Sequence, residues 1–207
     1  MIVDPSACRA EDLAEAVEWL RGGGIVVLPT DTFYGLAVDP ASAVAVRRLF
    51  DLKGRSARVA LPFIAASTHQ VESFCGRFEA QSARIAERFW PGPLSLILDA
   101  PATIAVEVHA GRRTVAIRVP AHPVARALAE AWGSPLTSTS ANRSGEPAAS
   151  RVSQLGSWVH DSHVFVIDGG ETPGGIASTI VDARRSPPTL VRDGAIAWER
   201  VLESLNG

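Results

Sequence analysis

The only lysine of this 207-residue chain, Lys53, is followed by Gly54 and Arg55. The other 19 of the 20 lysine and arginine residues are arginines, so position 53 is the only one that uses a lysine. A lysine is a compact point charge and an arginine is a planar fork, and the two together suit phosphate oxygens. We therefore expect an exposed loop in which Lys53 and Arg55 bind phosphate. The alternative is a solvated helix end, where cations interact favourably with the helix dipole.

Two further segments are rich in hydroxyl groups. Residues 30–34 read Thr-Asp-Thr-Phe-Tyr and follow an apolar run at 25–28, which predicts a buried strand. Because ligands in open sheets bind beyond the ends of strands, these side chains are candidates for binding an amino acid or a nucleotide. Residues 137–144 carry five hydroxyls and the amide of Asn142, a composition that can surround phosphates or a ribose. The alternatives are an ordinary turn and a flexible loop.

The usual sequence motifs of catalysis are missing from the chain. It has no Walker A pattern, no GxGxxG, no GxSxG and no HExxH. Ser178, Thr179 and Arg192 are polar residues beside predicted strands near the C-terminus. A site of hydroxyls, an amide, a lysine and arginines favours positioning and charge neutralisation, which is how phosphoryl and nucleotidyl transfer are catalysed.

Helical and strand patterns alternate irregularly along the chain. Hydrophobic periodicity predicts helices at 10–21, 42–51, 68–75, 79–89, 122–132 and 197–205. Apolar runs predict strands at 25–28, 61–65, 94–98, 114–119, 164–167, 178–181 and 189–191. This order indicates an α/β (α+β) fold, with one twisted mixed sheet and a single domain over residues 1–207. Alternation along the strand at 114–119 puts Arg118 on the face of Ala116, and we expect that face to line the binding groove.

Bulk composition excludes some classes of protein. The formal net charge is −2 and the sequence pI is about 6.2, whereas a dedicated nucleic-acid-binding domain usually has a pI above about 9. The longest apolar run, 59–66, is far shorter than the roughly 18 residues of a membrane span, and the N-terminus does not look like a signal peptide. Cys8 and Cys75 form no metal-binding pattern. We expect a cytoplasmic enzyme without membrane contact.

Taken in order, these segments resemble the motifs of the YrdC-like threonylcarbamoyl-AMP synthases. The resemblance covers about residues 10–196, and although each motif is weak alone, the complete ordered set is specific. The matching segments are Pro29 to Leu36, Lys53-Gly54-Arg55, Phe89 to Leu94, Val115 to Pro120, Ser140-Ala141-Asn142, Asp168-Gly169-Gly170, Ser178-Thr179 and Arg192-Asp193-Gly194. The chain departs from the common pattern at Ser56, Ala60, Ile64 and Ala177.

The resemblance implies a fold with a concave, positively charged groove and a reaction within it. L-threonine, bicarbonate and ATP would give threonylcarbamoyl-AMP and pyrophosphate, towards N6-threonylcarbamoyladenosine at tRNA position 37. Mg²⁺ would be bound through ATP and not by protein side chains. Candidate partners are tRNA and the proteins that transfer the product to it. The alternatives are an RNA-binding module of the same fold and a paralogue that makes another carbamoyl or acyl adenylate.

The resemblance also assigns residues to the two substrates. Lys53 and Arg55 would be catalytic. The implied ATP-binding residues are Lys53, Arg55, Thr139, Ser140, Asn142 and Arg192. The implied threonine-binding residues are Thr30, Thr32, Tyr34, Arg118, Ser178 and Thr179.

Overall fold

The computed structural model describes residues 2–3, 10–54 and 59–206. The strands in this part of the chain are β1 (Ile2–Val3), β2 (Ile25–Leu28), β3 (Gly35–Ala37), β4 (Phe63–Ile64), β5 (Leu94–Asp99), β6 (Thr114–Arg118), β7 (Leu136–Thr137), β8 (Thr139–Ser140), β9 (Val164–Ile167), β10 (Thr179–Asp182) and β11 (Thr189–Arg192). The α-helices are α1 (Ala10–Arg21), α2 (Ala43–Lys53), α3 (Thr68–Cys75), α4 (Ala80–Phe89), α5 (Val106–His109), α6 (Pro123–Trp132) and α7 (Trp198–Glu203). Short 3₁₀ turns span Val152–Gln154 and Ser157–His160.

The strands form two mixed sheets and not the single sheet that the sequence predicts. The first sheet has the order β1-β9-β2-β3-β8, and the second has the order β11-β10-β5-β6-β4-β7. Strands β7 and β8 follow one another with only Ser138 between them, yet they pair in different sheets, β7 with β4 and β8 with β3. The chain therefore crosses from one sheet to the other at Ser138. Two-residue strands carry no readable periodicity, so the sequence did not reveal this crossing.

Helix α2 begins and ends where local chemistry dictates. The hydroxyl of Ser42 accepts a hydrogen bond from the Ala45 amide, which satisfies one of the donors left open at a helix start. At the other end Gly54 adopts a left-handed conformation with φ of 58°, a geometry that glycine takes without steric cost. Lys53 is consequently the last helical residue and is buried, which corrects the expectation of an exposed loop.

Apolar side chains from both sheets share one core. It includes Val27 and Leu36 of the first sheet and Leu96 and Ile117 of the second. A smaller cluster packs α1 and α6 against β2 and β9 and includes Phe165, which is fully buried. The mixed α/β architecture predicted from the sequence is thus confirmed. Among the helices that the structure describes, none combines the length and the apolar composition that crossing a bilayer would require.

Candidate active site

A cavity of about 440 Å³ lies between the two sheets. This volume falls within the range of roughly 300–1,000 Å³ that is typical of small-molecule sites. One wall comes from β5 and β6, where Ser95, Thr114 and Ala116 present their side chains to the cavity. Alternate residues of β6, Val115 and Ile117, point the other way and are buried in the core. The space at the junction of the two sheets is therefore lined by both polar and apolar side chains.

Arg118 lines this cavity, as the alternation along β6 predicts, and it is buried. Its Nη1 donates to the Asp31 carboxylate at 2.6 Å, and its Nη2 lies 3.1 Å from the Thr30 hydroxyl and 3.3 Å from the Thr32 hydroxyl. The other Asp31 oxygen accepts from the Ala121 amide at 3.1 Å. Burial lowers the pKa of Arg118 and the Asp31 charge opposes that shift. The segment after β2 thus holds one fixed cation in the cavity wall.

Ser178 lines the same cavity on the same wall as Ser95, because the strand that follows it, β10, pairs with β5. The Ser178 hydroxyl lies 3.3 Å from the Ser95 hydroxyl and accepts from Nη2 of Arg192 at 3.0 Å. Although Arg192 as a residue is exposed, its guanidinium lies against Ser178, where burial and the Arg118 charge both lower its pKa. Thr179 does not line the cavity, because its buried hydroxyl is bonded to the backbone of Ile196 in both directions.

Tyr34 borders the cavity, but its hydroxyl is directed into the protein. The phenol donates to the Gly170 carbonyl at 2.7 Å, accepts from the Gly169 amide at 2.9 Å and lies 3.1 Å from the Asp168 carboxylate. Burial raises the pKa of Tyr34, so the group stays a neutral donor. These bonds fasten residues 168–170 beside the hydroxyl segment at 30–34. The described contacts of the Tyr34 phenol are therefore structural, because they connect it to residues 168–170.

The nucleotide-binding set predicted from the sequence is only partly at the cavity. Thr139 and Ser140 line it, whereas Asn142 and Lys53 lie behind them. The Lys53 ammonium donates to the Ser140 and Asn142 carbonyl oxygens at 2.6 and 2.9 Å, and to the Asn142 side-chain oxygen at 3.1 Å. Arg55 lies outside the described residues.

Arg112 is a cavity residue that the sequence reasoning did not identify. It sits in the turn before β6, where Ala110 and Arg113 adopt left-handed φ values of 50° and 55°. Such backbone conformations cost energy for residues other than glycine and tend to occur at functional sites. The alternation along β6 does not extend to Arg112, because the strand begins at Thr114 and the intervening Arg113 is left-handed, so no pattern in the sequence marked this residue.

The lining has a clear electrostatic character. Arg112, Arg118 and Arg192 contribute three guanidinium groups, and no aspartate, glutamate, histidine or cysteine lies among the described lining residues. Hydroxyls complete the polar part of the wall. Such a surface can bind carboxylate and phosphate oxygens through charge-assisted hydrogen bonds. Its described groups offer no nucleophile–base pair, so it can act by orientation and charge stabilisation.

Comparison with known proteins supports this assessment. The threonylcarbamoyl-AMP synthase of Pyrococcus abyssi is 36% identical over 186 residues, which are 90% of this chain and 55% of that protein. A synthase of the same name from Halorhodospira halophila is 41% identical over 151 residues, 73% of this chain and 79% of that protein. The crystal structure of P. abyssi Sua5 complexed with L-threonine matches with a TM-score of 0.92 at 33% identity, and covers 99% of this chain and 61% of that one.

The chain thus spans little more than half the length of the Pyrococcus relative. The family model for Sua5, YciO and YrdC proteins, described as "Telomere recombination", matches residues 18–194. These residues include both walls of the cavity and the crossing between the two sheets, so the chain belongs to the Sua5/YciO/YrdC family.

Proposed function

We propose that this chain is an L-threonylcarbamoyladenylate synthase, which forms threonylcarbamoyl-AMP and pyrophosphate from L-threonine, bicarbonate and ATP. The observation that carries the proposal is the cavity lined by three arginines and by hydroxyls, without a described acidic side chain. All three substrates offer anionic oxygens, and the cavity presents the donors that such oxygens require. The named relatives that share the family support the same reaction.

The threonine would lie against the wall formed by Arg118, Thr30, Thr32 and Ser178. Arg118 is fixed by Asp31 and would pair with the threonine carboxylate. The three hydroxyls would bind the amino group and the side-chain hydroxyl of the substrate, since a hydroxyl both donates and accepts. Tyr34 and Thr179 would support this wall through their backbone ties.

The ATP would occupy the remaining space between the sheets. Thr139 and Ser140 line that region, with Asn142 behind them, and Arg192 enters it from β11. Arg55 stays a predicted phosphate ligand. Mg²⁺ would enter with ATP, because it usually keeps phosphate and water oxygens as ligands. In the described part of the chain no three His, Cys, Asp or Glu side chains are grouped closely enough to hold a metal ion.

The reaction would proceed through positioning. The threonine amine attacks the bicarbonate carbon, a nitrogen–carbon bond forms and water leaves. A carbamate oxygen then attacks the α-phosphorus of ATP, and the bond from that phosphorus to the bridging oxygen breaks, so pyrophosphate leaves with the electron pair. The cavity arginines would balance the negative charges brought together in this step. Transfer of the product to tRNA, a cytoplasmic location and a single domain over residues 1–207 stay predictions.

The direct test is mass spectrometry of the products after incubation with ATP, Mg²⁺, bicarbonate and L-threonine. We expect a product with the mass of threonylcarbamoyl-AMP, and equimolar pyrophosphate, only when all components are present. Pyrophosphate release with another amino acid but not with threonine would favour a paralogue with a different product. Salt-sensitive binding of RNA without any pyrophosphate release would contradict the synthase proposal.

A further inference from the structure

The ammonium group of Lys53 forms hydrogen bonds with other residues of the protein. The residue is 3% exposed, and its ammonium is within hydrogen-bond distance of the Ser140 carbonyl, the Asn142 carbonyl and the Asn142 side-chain oxygen. A lysine ammonium carries three N–H donors and no acceptor, and each of these three oxygens can accept from it. The Lys53 carbonyl also accepts from the Ser144 amide at 2.9 Å. The end of α2 is therefore tied to residues 140–144 from both sides.

These contacts fix the orientation of the Asn142 amide. Its oxygen faces the Lys53 ammonium and its nitrogen donates to the Glu146 carbonyl at 2.5 Å. The reversed orientation would place two donors against each other at Lys53 and two acceptors against each other at Glu146. A donor-only group at position 53 thus ensures that the Asn142 oxygen points towards Ser140.

The orientation of the Asn142 amide in turn determines whether the Ser140 hydroxyl donates or accepts in its further hydrogen bonds. The Ser140 hydroxyl lies 2.6 Å from the Asn142 side-chain oxygen, which can only accept, so the hydroxyl proton is used in that bond. Ser140 lines the cavity, and its hydroxyl oxygen has lone pairs that can accept a further hydrogen bond. It can accept a hydrogen bond from a ligand, but it cannot donate to a phosphate oxygen without giving up Asn142.

We infer that Lys53 is a positioning residue which, through Asn142, presents the Ser140 hydroxyl as a hydrogen-bond acceptor for a donor on the nucleoside part of ATP. The donor is a ribose hydroxyl or the adenine amino group, since the phosphates carry only acceptors near neutral pH. This inference rests on the proposed function for its ligand. It differs from the sequence-based expectation, in which Lys53 itself binds phosphate.

Calorimetric binding of ATP and of adenosine separates these two roles. We expect Ser140→Ala to weaken both ligands by the same factor, about three- to tenfold, the range of one neutral hydrogen bond. Lys53→Met should also weaken both ligands equally. If Lys53 binds phosphate, Lys53→Met will weaken ATP at least tenfold more than adenosine, and the inference is overturned. Ser144→Ala is the control, because Ser144 contributes only its backbone amide and does not line the cavity.

Nucleoside analogues identify the donor and guard against misfolding of the lysine variant. The effect of Ser140→Ala should disappear for the one analogue that lacks the donor, among 2′-deoxyadenosine, 3′-deoxyadenosine and purine riboside. An effect that persists for all three analogues would overturn the inference. Because Ser140 is exposed, this substitution should leave folding intact.

The single lysine also permits a direct observation. In protein labelled with ¹⁵N-lysine, the only side-chain amine signal belongs to Lys53. We expect that signal to show no coupling to phosphorus when ATP binds, and a measurable coupling would contradict the inference. If wild-type protein binds ATP as described but releases no pyrophosphate with threonine, the proposed reaction fails while the role of Lys53 stands.

Discussion

Arg118 and Asp31 form an ion pair whose side chains are only 8% and 9% exposed. Loss of one partner of such a pair leaves an uncompensated charge and typically costs about 3–5 kcal/mol of stability. We expect Arg118→Ala to lower the free energy of unfolding by about this amount. We also expect it to raise the KM for threonine much more than the KM for ATP, because it removes the proposed carboxylate ligand.

Asp31→Asn separates binding from stability at this pair. It removes the buried counter-charge but keeps the guanidinium in the cavity. Denaturant unfolding and initial rates of pyrophosphate release should show that Asp31→Asn affects the threonine KM much less than Arg118→Ala does. Equal changes in the KM values of both substrates for Arg118→Ala would argue against a carboxylate-binding role.

Arg112 is expected to act on substrates without supporting the fold. It lines the cavity, and among the described residues no acidic side chain lies within ion-pair distance of it. A charge-assisted hydrogen bond is worth about 1.5–3 kcal/mol, or roughly a ten- to hundredfold change in rate. Arg112→Ala should therefore lower kcat/KM by that factor and change the free energy of unfolding by less than about 0.5 kcal/mol.

The neighbouring Arg113 provides the matched control. It has the same charge and lies in the same turn, but it does not line the cavity. Arg113→Ala should leave kcat/KM almost unchanged. A comparable loss in both variants would mean that the turn contributes only general positive charge.

At the scale of elements, the end of β11 must approach the start of β10 closely. A Cβ atom at Gly194 would lie 2.4 Å from the Ala177 carbonyl oxygen and 2.5 Å from the Thr179 amide nitrogen. Because these are backbone atoms, the strands themselves would have to separate. We expect Gly194→Ala to destabilise the protein by about 1–3 kcal/mol and to displace Ser178 from Arg192.

Thermal unfolding would measure the loss of stability in Gly194→Ala, and the KM for threonine would measure the effect of displacing Ser178. Gly22→Ala is a suitable control, because a Cβ atom at Gly22 would lie 3.4 Å from its nearest neighbour, the Trp19 carbonyl oxygen, and Gly22 has no positive φ. A Gly194→Ala variant as stable as wild type would show that the two strands can separate without cost.

The elements that could be predicted from the sequence are those with a readable period. Helices such as α1 and α6 show an apolar face, and β2 and β9 are continuous apolar runs. The strands β3, β7 and β8 have two or three residues each, too few for any period, and they determine how the two sheets join. Long-range partners were also hidden, because Asp31 and Arg118 are 87 residues apart and nothing local links them.

The residues of the candidate site also divide into those that could be predicted from the sequence and those that could not. The sequence marks Thr30, Thr32, Ser140 and Ser178 as candidates because they lie in hydroxyl-rich segments or beside predicted strands, and the structure brings these four residues to one cavity. The sequence could not show that Thr179 and the Tyr34 phenol turn inward, since hydroxyl direction depends on backbone atoms from distant segments. The burial of Lys53 likewise depends on residues 140–142, which only the tertiary structure places beside α2.

In the molecule as a whole, positive charge is concentrated at the cavity although the net charge is negative. The chain has a formal net charge of −2, yet three arginines line its cavity. An ATP molecule carries several negative charges, whereas threonine is a zwitterion near neutral pH. Because salt screens charges over about 10 Å at 0.1 M and about 3 Å at 1 M, raising the salt concentration should raise the KM for ATP more than that for threonine. Steady-state kinetics at several chloride concentrations would check this, and equal slopes would contradict it.

The burial of the single lysine has a consequence for covalent chemistry. All other basic side chains of the chain are arginine or histidine, so reagents that acylate lysine find no accessible lysine in the folded protein. Acylation of Lys53 requires α2 to part from residues 140–142, and its rate therefore measures how often that junction opens. Mass spectrometry of the peptide containing Lys53, after timed exposure to acetic anhydride, should show slow labelling. Labelling should become slower still with ATP present, since a ligand bound through Ser140 would stabilise the closed junction.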